Sequence, residues 1–300
     1  MQEIEFKFQV PVKKRKALQK AFTLLKAEPI HLAAQYFDTA DQTLAKHCIA
    51  IRRRQENDEW KQTFKAVDTA KVLSRLELEF DIAPPETTTL DLDNYKKDYS
   101  AIYKKLKRAL GLPLPTLELL FETNIQRLRV LQDVGSSTVE IALDIGKIFE
   151  EQNSVDIFEI EFELKQGSIE DLIAFIRPWV QKYQLSLDTH SKSDYGLLAV
   201  RQQSSFSAQY QTPLVLNRSS SEVEALQSIV ANCLQHLLPN ASSIARQQYS
   251  SEHIHQARVA IRRLRSALKS FAAWSDAIQP HWKAELTTIF QALGGTRDID

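Results

Sequence analysis

The stretch Glu3-Ile4-Glu5-Phe6-Lys7-Phe8 decides how the rest of the chain is read. As a β-strand it sends successive side chains to opposite faces, so Glu3, Glu5 and Lys7 share one face and Ile4, Phe6 and Phe8 the other. That alternation marks a half-buried strand. On an edge strand the polar face would be a solvated surface studded with charge. Two carboxylates beside an amine are also a ligand set, and the remaining strands decide between these readings.

The pattern recurs seven times. A short segment at "QYFDT" near Tyr36 is followed by "CIAIRRR", where Arg52 and Arg54 share a face. "EWKQTFKA" sets Lys61, Thr63 and Lys65 against Trp60 and Phe64; "SRLELEFDI" sets Arg75, Glu77, Glu79 and Asp81 against Leu76, Leu78, Phe80 and Ile82. "ELLFETNIQRLRVLQ" presents Arg127 and Arg129, "TVEIALDIG" presents Glu140 and Asp144, and "IFEIEFELK" presents Glu159, Glu161, Glu163 and Lys165. Amphipathic helices are expected near residues 12–27, 98–110 and 169–184, the last opened by a Ser168/Asp171 cap. Residues 203–220 are rich in serine and glutamine and read as a linker. From Ser221 the apolar period becomes helical, with stripes at Val223, Leu226, Val230, Cys233 and Leu237; at Ile254, Ile261, Leu264, Leu268 and Phe271; and at Trp282, Leu286, Ile289 and Leu293.

The 300 residues carry 38 Lys plus Arg and 38 Asp plus Glu, so bulk charge selects no partner and any electrostatic function must come from local sorting. The sorting is visible. Acids dominate the first, seventh and eighth strands and bases the third, fourth and sixth, while the fifth is mixed. Two distant cysteines, Cys48 and Cys233, argue against disulfides and zinc and fit a reducing cytoplasm. Neither a signal peptide nor a membrane span is expected. "KKRK" at 13–16 reads as a solvated helix face, so no specific nucleic-acid or membrane partner is expected. His31, His47 and His190 read as structural, Cys48 as a core residue, and a P-loop is absent.

Phenylalanine-rich apolar faces packed under helices leave the charged faces in water, outside the sheet or inside a lumen. An eight-stranded antiparallel barrel encloses space for side chains or one small ligand. Carboxylates on alternate residues of one strand stand roughly 6.7 Å apart and repel by about 2.5 kcal/mol at an effective dielectric of about 20. A gathering of them calls for hard cations such as Mg²⁺ or Mn²⁺, which share ligation with phosphates. The neighbouring arginines and lysines call for a compact anion. The expected fold is therefore α+β: an eight-stranded antiparallel β-barrel tunnel with flanking helices over residues 1–202, the linker, and a partial α-helical bundle over 221–300.

"EIEFKF", followed in order by "IRRR", "TFK", "RLELE", "QRLRV", "VEIALDIG", "FEIEFEL" and "SKSDYG", resembles the CYTH family of triphosphate tunnel metalloenzymes over about residues 1–200. The resemblance implies a closed tunnel that hydrolyses or cyclises triphosphates with a divalent metal. It implies Glu3, Glu5, Glu159 and Glu161 as metal ligands with Glu140 and Asp144 nearby. Lys7, Arg52, Arg54, Lys65, Arg75, Arg127, Arg129 and Lys192 would bind phosphate, and Glu3, Glu5, Lys7, Glu77 and Glu79 form the expected catalytic set. "HQARVAIRRLRSALKSF" and "LGGTRDID" resemble the start of a CHAD domain, whose stripe His255, Arg258, Arg262, Arg265 and Lys269 implies an anionic partner, long-chain polyphosphate. The leading expectation is hydrolysis of inorganic triphosphate to pyrophosphate and phosphate. Thiamine triphosphatase, class IV adenylate cyclase and a non-catalytic polyphosphate-binding protein stay open, as does the oligomeric state.

Overall fold

The computed structural model describes residues 2–67, 74–90, 92, 95, 96, 99–150 and 153–294. In chain order the first part comprises β1 (Gln2–Gln9), α1 (Val12–Leu24), β2 (Glu28–Asp38), α2 (Thr43–Lys46), β3 (Ile49–Glu56), β4 (Glu59–Val67), β5 (Ser74–Ile82) and β6 (Thr89–Leu90). There follow α3 (Ser100–Leu110), β7 (Leu117–Val134), β8 (Ser137–Glu150), β9 (Asn153–Gln166), α4 (Ile169–Tyr183), β10 (Ser186–Leu187) and α5 (Lys192–Val200). Among the described residues three α-helices follow, α6 (Glu222–Ala245), α7 (Ser251–Ser270) and α8 (Pro280–Ala292), with a 3-10 turn at Ala272–Trp274 between the last two. Two compact units result, one carrying the sheet and ending at Gln203, the other containing Leu187–Thr189 and everything from Ser204. No helix among the described residues is long and apolar enough to cross a membrane.

All eight expected strands form and pair antiparallel in the order β1-β5-β4-β3-β2-β7-β8-β9. The pairing then returns to β1, whose Gln2–Ile4 segment pairs with β5 and whose Glu5–Gln9 segment pairs with β9. β2 is longer than "QYFDT" suggested, and the two-residue strands β6 and β10 raise the total to ten.

Helix packing tells which face of each strand is inside. Phe162 of β9 meets Phe175 and Trp179 of α4 edge-on, at 6.2 and 5.7 Å between centroids. On the β3–β4 side, Ile49, Ile51 and Phe64 share a buried cluster with Ile102 and Leu106 of α3. Because the apolar faces lie under helices, the charged faces line the inner side of the strand circuit. Gly146 serves this arrangement: a Cβ there would stand 2.1 Å from the Asn124 carbonyl oxygen of β7. Cys48 corrects an expectation. It is exposed rather than in the core, because its φ of 55° turns the chain into β3.

In the second unit a capping box, Ser221 with Glu224, opens α6. Residues 209–212, expected as linker, are hydrogen-bonded onto α6: Asn240 exchanges bonds with the Gln209 backbone and Asn232 donates to Thr212. The α6 interior is partly polar. Asn232, His236 and Asn240, at helical spacing, are buried along with Cys233 and Leu226, whereas Val223 of the expected stripe is 44% exposed. Hydrogen bonding by Asn232 and His236 to Arg263 of α7 is what admits a polar seam to this interior.

Candidate active site within the strand circuit

Strand register brings the acids together. Asp144 of β8 stands opposite Arg127 of β7 on one side and Glu159 of β9 on the other. Lys7 of β1 stands opposite Glu161. Among the described residues, Asp144, Glu159 and Glu161 form the one group of three or more potential metal ligands, each offering an oxygen within 4.8 Å of the others. Three cations interlock with them. Arg127 makes a two-pronged contact with Asp144, both bonds 2.7 Å, and reaches Glu161 at 2.5 Å. Lys192 lies 2.7 Å from both Asp144 and Glu161 and also pairs with Glu159. Lys7 pairs with Glu159 at 3.4 Å and donates to the His190 carbonyl. Lys192 is the first residue of α5, whose start is set by the capping box of Ser191 and Asp194.

Burial opposes the charges of Arg127, Asp144, Glu161 and Lys192, yet opposite charges at contact distance outweigh it. Asp144 is held below the usual carboxylate range by Arg127 and Lys192, and Glu161 well below it by Lys192 and Arg127. Lys192, held by Asp144, Glu159 and Glu161, stays ionised well above the ordinary lysine value.

A second group occupies β3, β4 and β5. Arg52 donates to the Tyr36 hydroxyl at 3.3 Å and to Thr63 at 3.4 Å, and Thr63 donates to Glu79 at 3.0 Å. Arg54 reaches Glu79 at 3.1 Å and Glu56 at 3.3 Å, and Lys65 pairs with Glu77 at 2.8 Å. Arg54 differs from Arg52, which shares its face and whose pKa is raised. Burial, then the like charges of Arg52 and Arg127, push its pKa down against the pull of Glu79 and Glu56. Its Nε is buried and has no hydrogen-bond partner.

The structure therefore sorts the expected residues differently from the sequence. Arg127, Lys192 and Lys7, expected on phosphate, interlock with the acids, while Glu77 and Glu79 sit among the bases as their counter-ions. Glu140 pairs with Lys165 at 3.6 Å and is outside the three-acid group; Arg129 pairs with Glu28 at 3.0 Å. Glu5 is close enough to Arg127 to favour its charge. The side chains of Glu3 and Arg75 lie outside the described residues; their backbones face each other across β1 and β5. Tyr36 and Glu56 were missed as site residues. No local signal marks Tyr36 in the sequence, because its place opposite Arg52 comes from the β2–β3 register.

The donor set fits a hard divalent cation: three carboxylates, two of them nearly inaccessible, with Glu159 Oε1 in an ion pair but in no hydrogen bond.

In the helical unit the basic stripe divides. His255, Arg262 and Lys269, seven residues apart, are exposed. Arg258 lies 4.2 Å over the Phe290 ring of α8 and donates to the Phe290 carbonyl, and Arg265 and the exposed Arg262 also face that ring, at 5.8 and 5.9 Å.

Residues 1–194 match the CYTH domain and residues 228–300 the CHAD domain. The chain is 33% identical over 202 residues to an inorganic triphosphatase of Haemophilus influenzae; the match takes in 66% of this chain and 55% of that protein. The chain thus spans about half the length of the curated relative it matches. A candidate adenylate cyclase from Bacillus halodurans superposes with a TM-score of 0.46 at 20% identity, covering 64% of this chain and 96% of the other. A candidate adenylyl cyclase from Hippeastrum, described as having a dominant triphosphatase activity, gives 0.46 at 18%, covering 67% and 96%. The domain matches, not these partial superpositions, place the chain.

Proposed function

The chain belongs to the CYTH family, and from that premise we propose that it hydrolyses inorganic triphosphate to pyrophosphate and phosphate inside the strand circuit. The observation that carries this reading is the juxtaposition of a buried three-carboxylate group with a cationic wall whose Arg54 Nε lacks a partner. Asp144, Glu159 and Glu161 would hold Mg²⁺ or Mn²⁺, with Glu3, Glu5 and Glu140 nearest in sequence pattern. Such an ion supplies charge neutralisation at phosphoryl oxygens and activation of water. Arg52, Arg54 and Lys65, with Arg75 and Arg129 further along their strands, bind and align the phosphate chain. Thr63 and Tyr36 orient Arg52, so its guanidinium is presented in one direction. Arg54, destabilised as a cation where it stands, is relieved when a phosphate oxygen arrives. Phosphoryl transfer asks of a protein mainly positioning and charge stabilisation, which this wall provides.

The helical unit takes long-chain polyphosphate along exposed His255, Arg262 and Lys269, with Arg258 and Arg265 serving as packing beneath. Its CHAD match and the basic stripe along α7 support the assignment.

The test is phosphate release from tripolyphosphate with Mg²⁺, with Mn²⁺ and with chelator. Metal-dependent formation of one phosphate and one pyrophosphate per substrate is expected. No release under any condition, or release only from nucleotides, overturns the assignment.

A further inference from the structure

The Lys192 ammonium stands among the three carboxylates that could hold a metal ion. It contacts Asp144 Oδ2 and Glu161 Oε1 at 2.7 Å each and pairs with Glu159 Oε1, one oxygen from each member of the group. One ammonium thus serves all three carboxylates at once, as a compact point charge on a flexible stem. We propose that Lys192 is an exchangeable counter-ion: it and a divalent metal compete for the same three carboxylates, so metal loading releases Lys192 to phosphate. This rests on the reading above that a divalent cation binds at these carboxylates.

Charge balance carries the argument. Asp144, Glu159 and Glu161 face Arg127, Lys7 and Lys192, three negative charges against three positive ones. A dication entering this group, to which Glu5 near Arg127 adds a further acid, meets three resident cations and is held far better once a base leaves. Arg127 is anchored by its two-pronged contact with Asp144, and Lys7 by the His190 carbonyl. Lys192 is different. It hangs from the first turn of α5 on a flexible four-carbon stem, and its backbone is fixed independently by Ser191 and Asp194. It can leave by rotating its side chain while the helix stays put. The exchange also explains why a residue expected on phosphate sits among acids. By linkage, metal and triphosphate then favour each other's binding by the same factor.

The experiment is calorimetric titration of Mn²⁺ into the substrate-free, intact chain, comparing wild type with Lys192→Met, Lys192→Gln and Lys192→Arg. Lys147→Met, at an exposed pair with Asp156, is the control. Met and Gln should tighten Mn²⁺ binding by about tenfold or more, and Arg, a better carboxylate partner, should weaken it. The neutral variants should also melt earlier without metal and gain more on adding Mn²⁺. Equal or weaker Mn²⁺ binding by both neutral variants overturns the proposal. If tripolyphosphate hydrolysis by wild type still needs metal in that case, only the exchange fails. If no protein binds Mn²⁺, the metal reading fails with it. Should the neutral variants not fold, tighter binding by the Arg variant would refute the exchange by itself.

Discussion

Replacing Asp144 by asparagine probes both the site and the stability of the sheet unit. Asp144 is fully buried and accepts two 2.7 Å bonds from Arg127 and a 2.7 Å contact from Lys192. The variant keeps the shape and one acceptor but turns a three-against-three group into two acids against three bases. Breaking a buried pair by removing one partner costs about 3–5 kcal/mol. Arg127 and Lys192 both retain Glu161, which argues for the lower end, about 3 kcal/mol. For a unit of this size that lowers the melting midpoint by roughly 6–12 °C. The informative measurement is a double-mutant cycle with Lys192→Gln, read by urea unfolding of the substrate-free protein. In the Asp144→Asn background the second change restores two against two, so it should cost less than in wild type, with a coupling of about 1–3 kcal/mol. Additive effects, or a single-variant cost under about 1 kcal/mol, would refute the charge-balance reasoning.

Three further outcomes are expected. Gly196→Ala places a Cβ 2.2 Å from the Phe121 ring, so α5 must shift; a loss of about 1–3 kcal/mol in thermal or urea unfolding is expected, and wild-type stability would show that α5 does not pack there. Alanine at His255 and Lys269 together should weaken salt-sensitive retention of long-chain polyphosphate without moving the melting midpoint, whereas Arg258→Ala should destabilise the helical unit by about 0.5–2 kcal/mol through the lost Phe290 contact; the reverse pattern would exchange their roles. His236 is buried, its Nδ1 faces Arg263 at 3.3 Å and its Nε2 pairs with Gln256 at 2.8 Å, so burial, with Arg263, pushes its pKa below the ordinary 6.5 despite the Gln256 bond. Unfolded protein then binds a proton that folded protein refuses, so stability falls as pH drops below 6.5; melting curves between pH 8 and 5 should show a slope that His236→Gln reduces.

Alternation is a local property, and it was fully legible. Glu5 and Lys7, Arg52 and Arg54, and Glu159 and Glu161 fall on common faces because a strand repeats every two residues whatever surrounds it. The cap at Ser168 works the same way, through a hydrogen bond from the residue three positions on. Sequence alone thus determined the eight strands, their charged and apolar faces, the change to helices after Ser221, and the chemistry on offer. Which charges meet was beyond it. Arg127 meets Asp144, and Asp144 meets Glu159, through the register of three strands contributed by residues up to 32 positions apart; Lys192 joins them only because α5 docks on the sheet. The same holds for Arg258, basic by sequence but spent on Phe290, and for Cys48, turned outward by a left-handed backbone. Side-chain facing follows from the geometry of one strand, whereas pairing depends on register and helix packing, and a charge takes its role from the partner those bring to it.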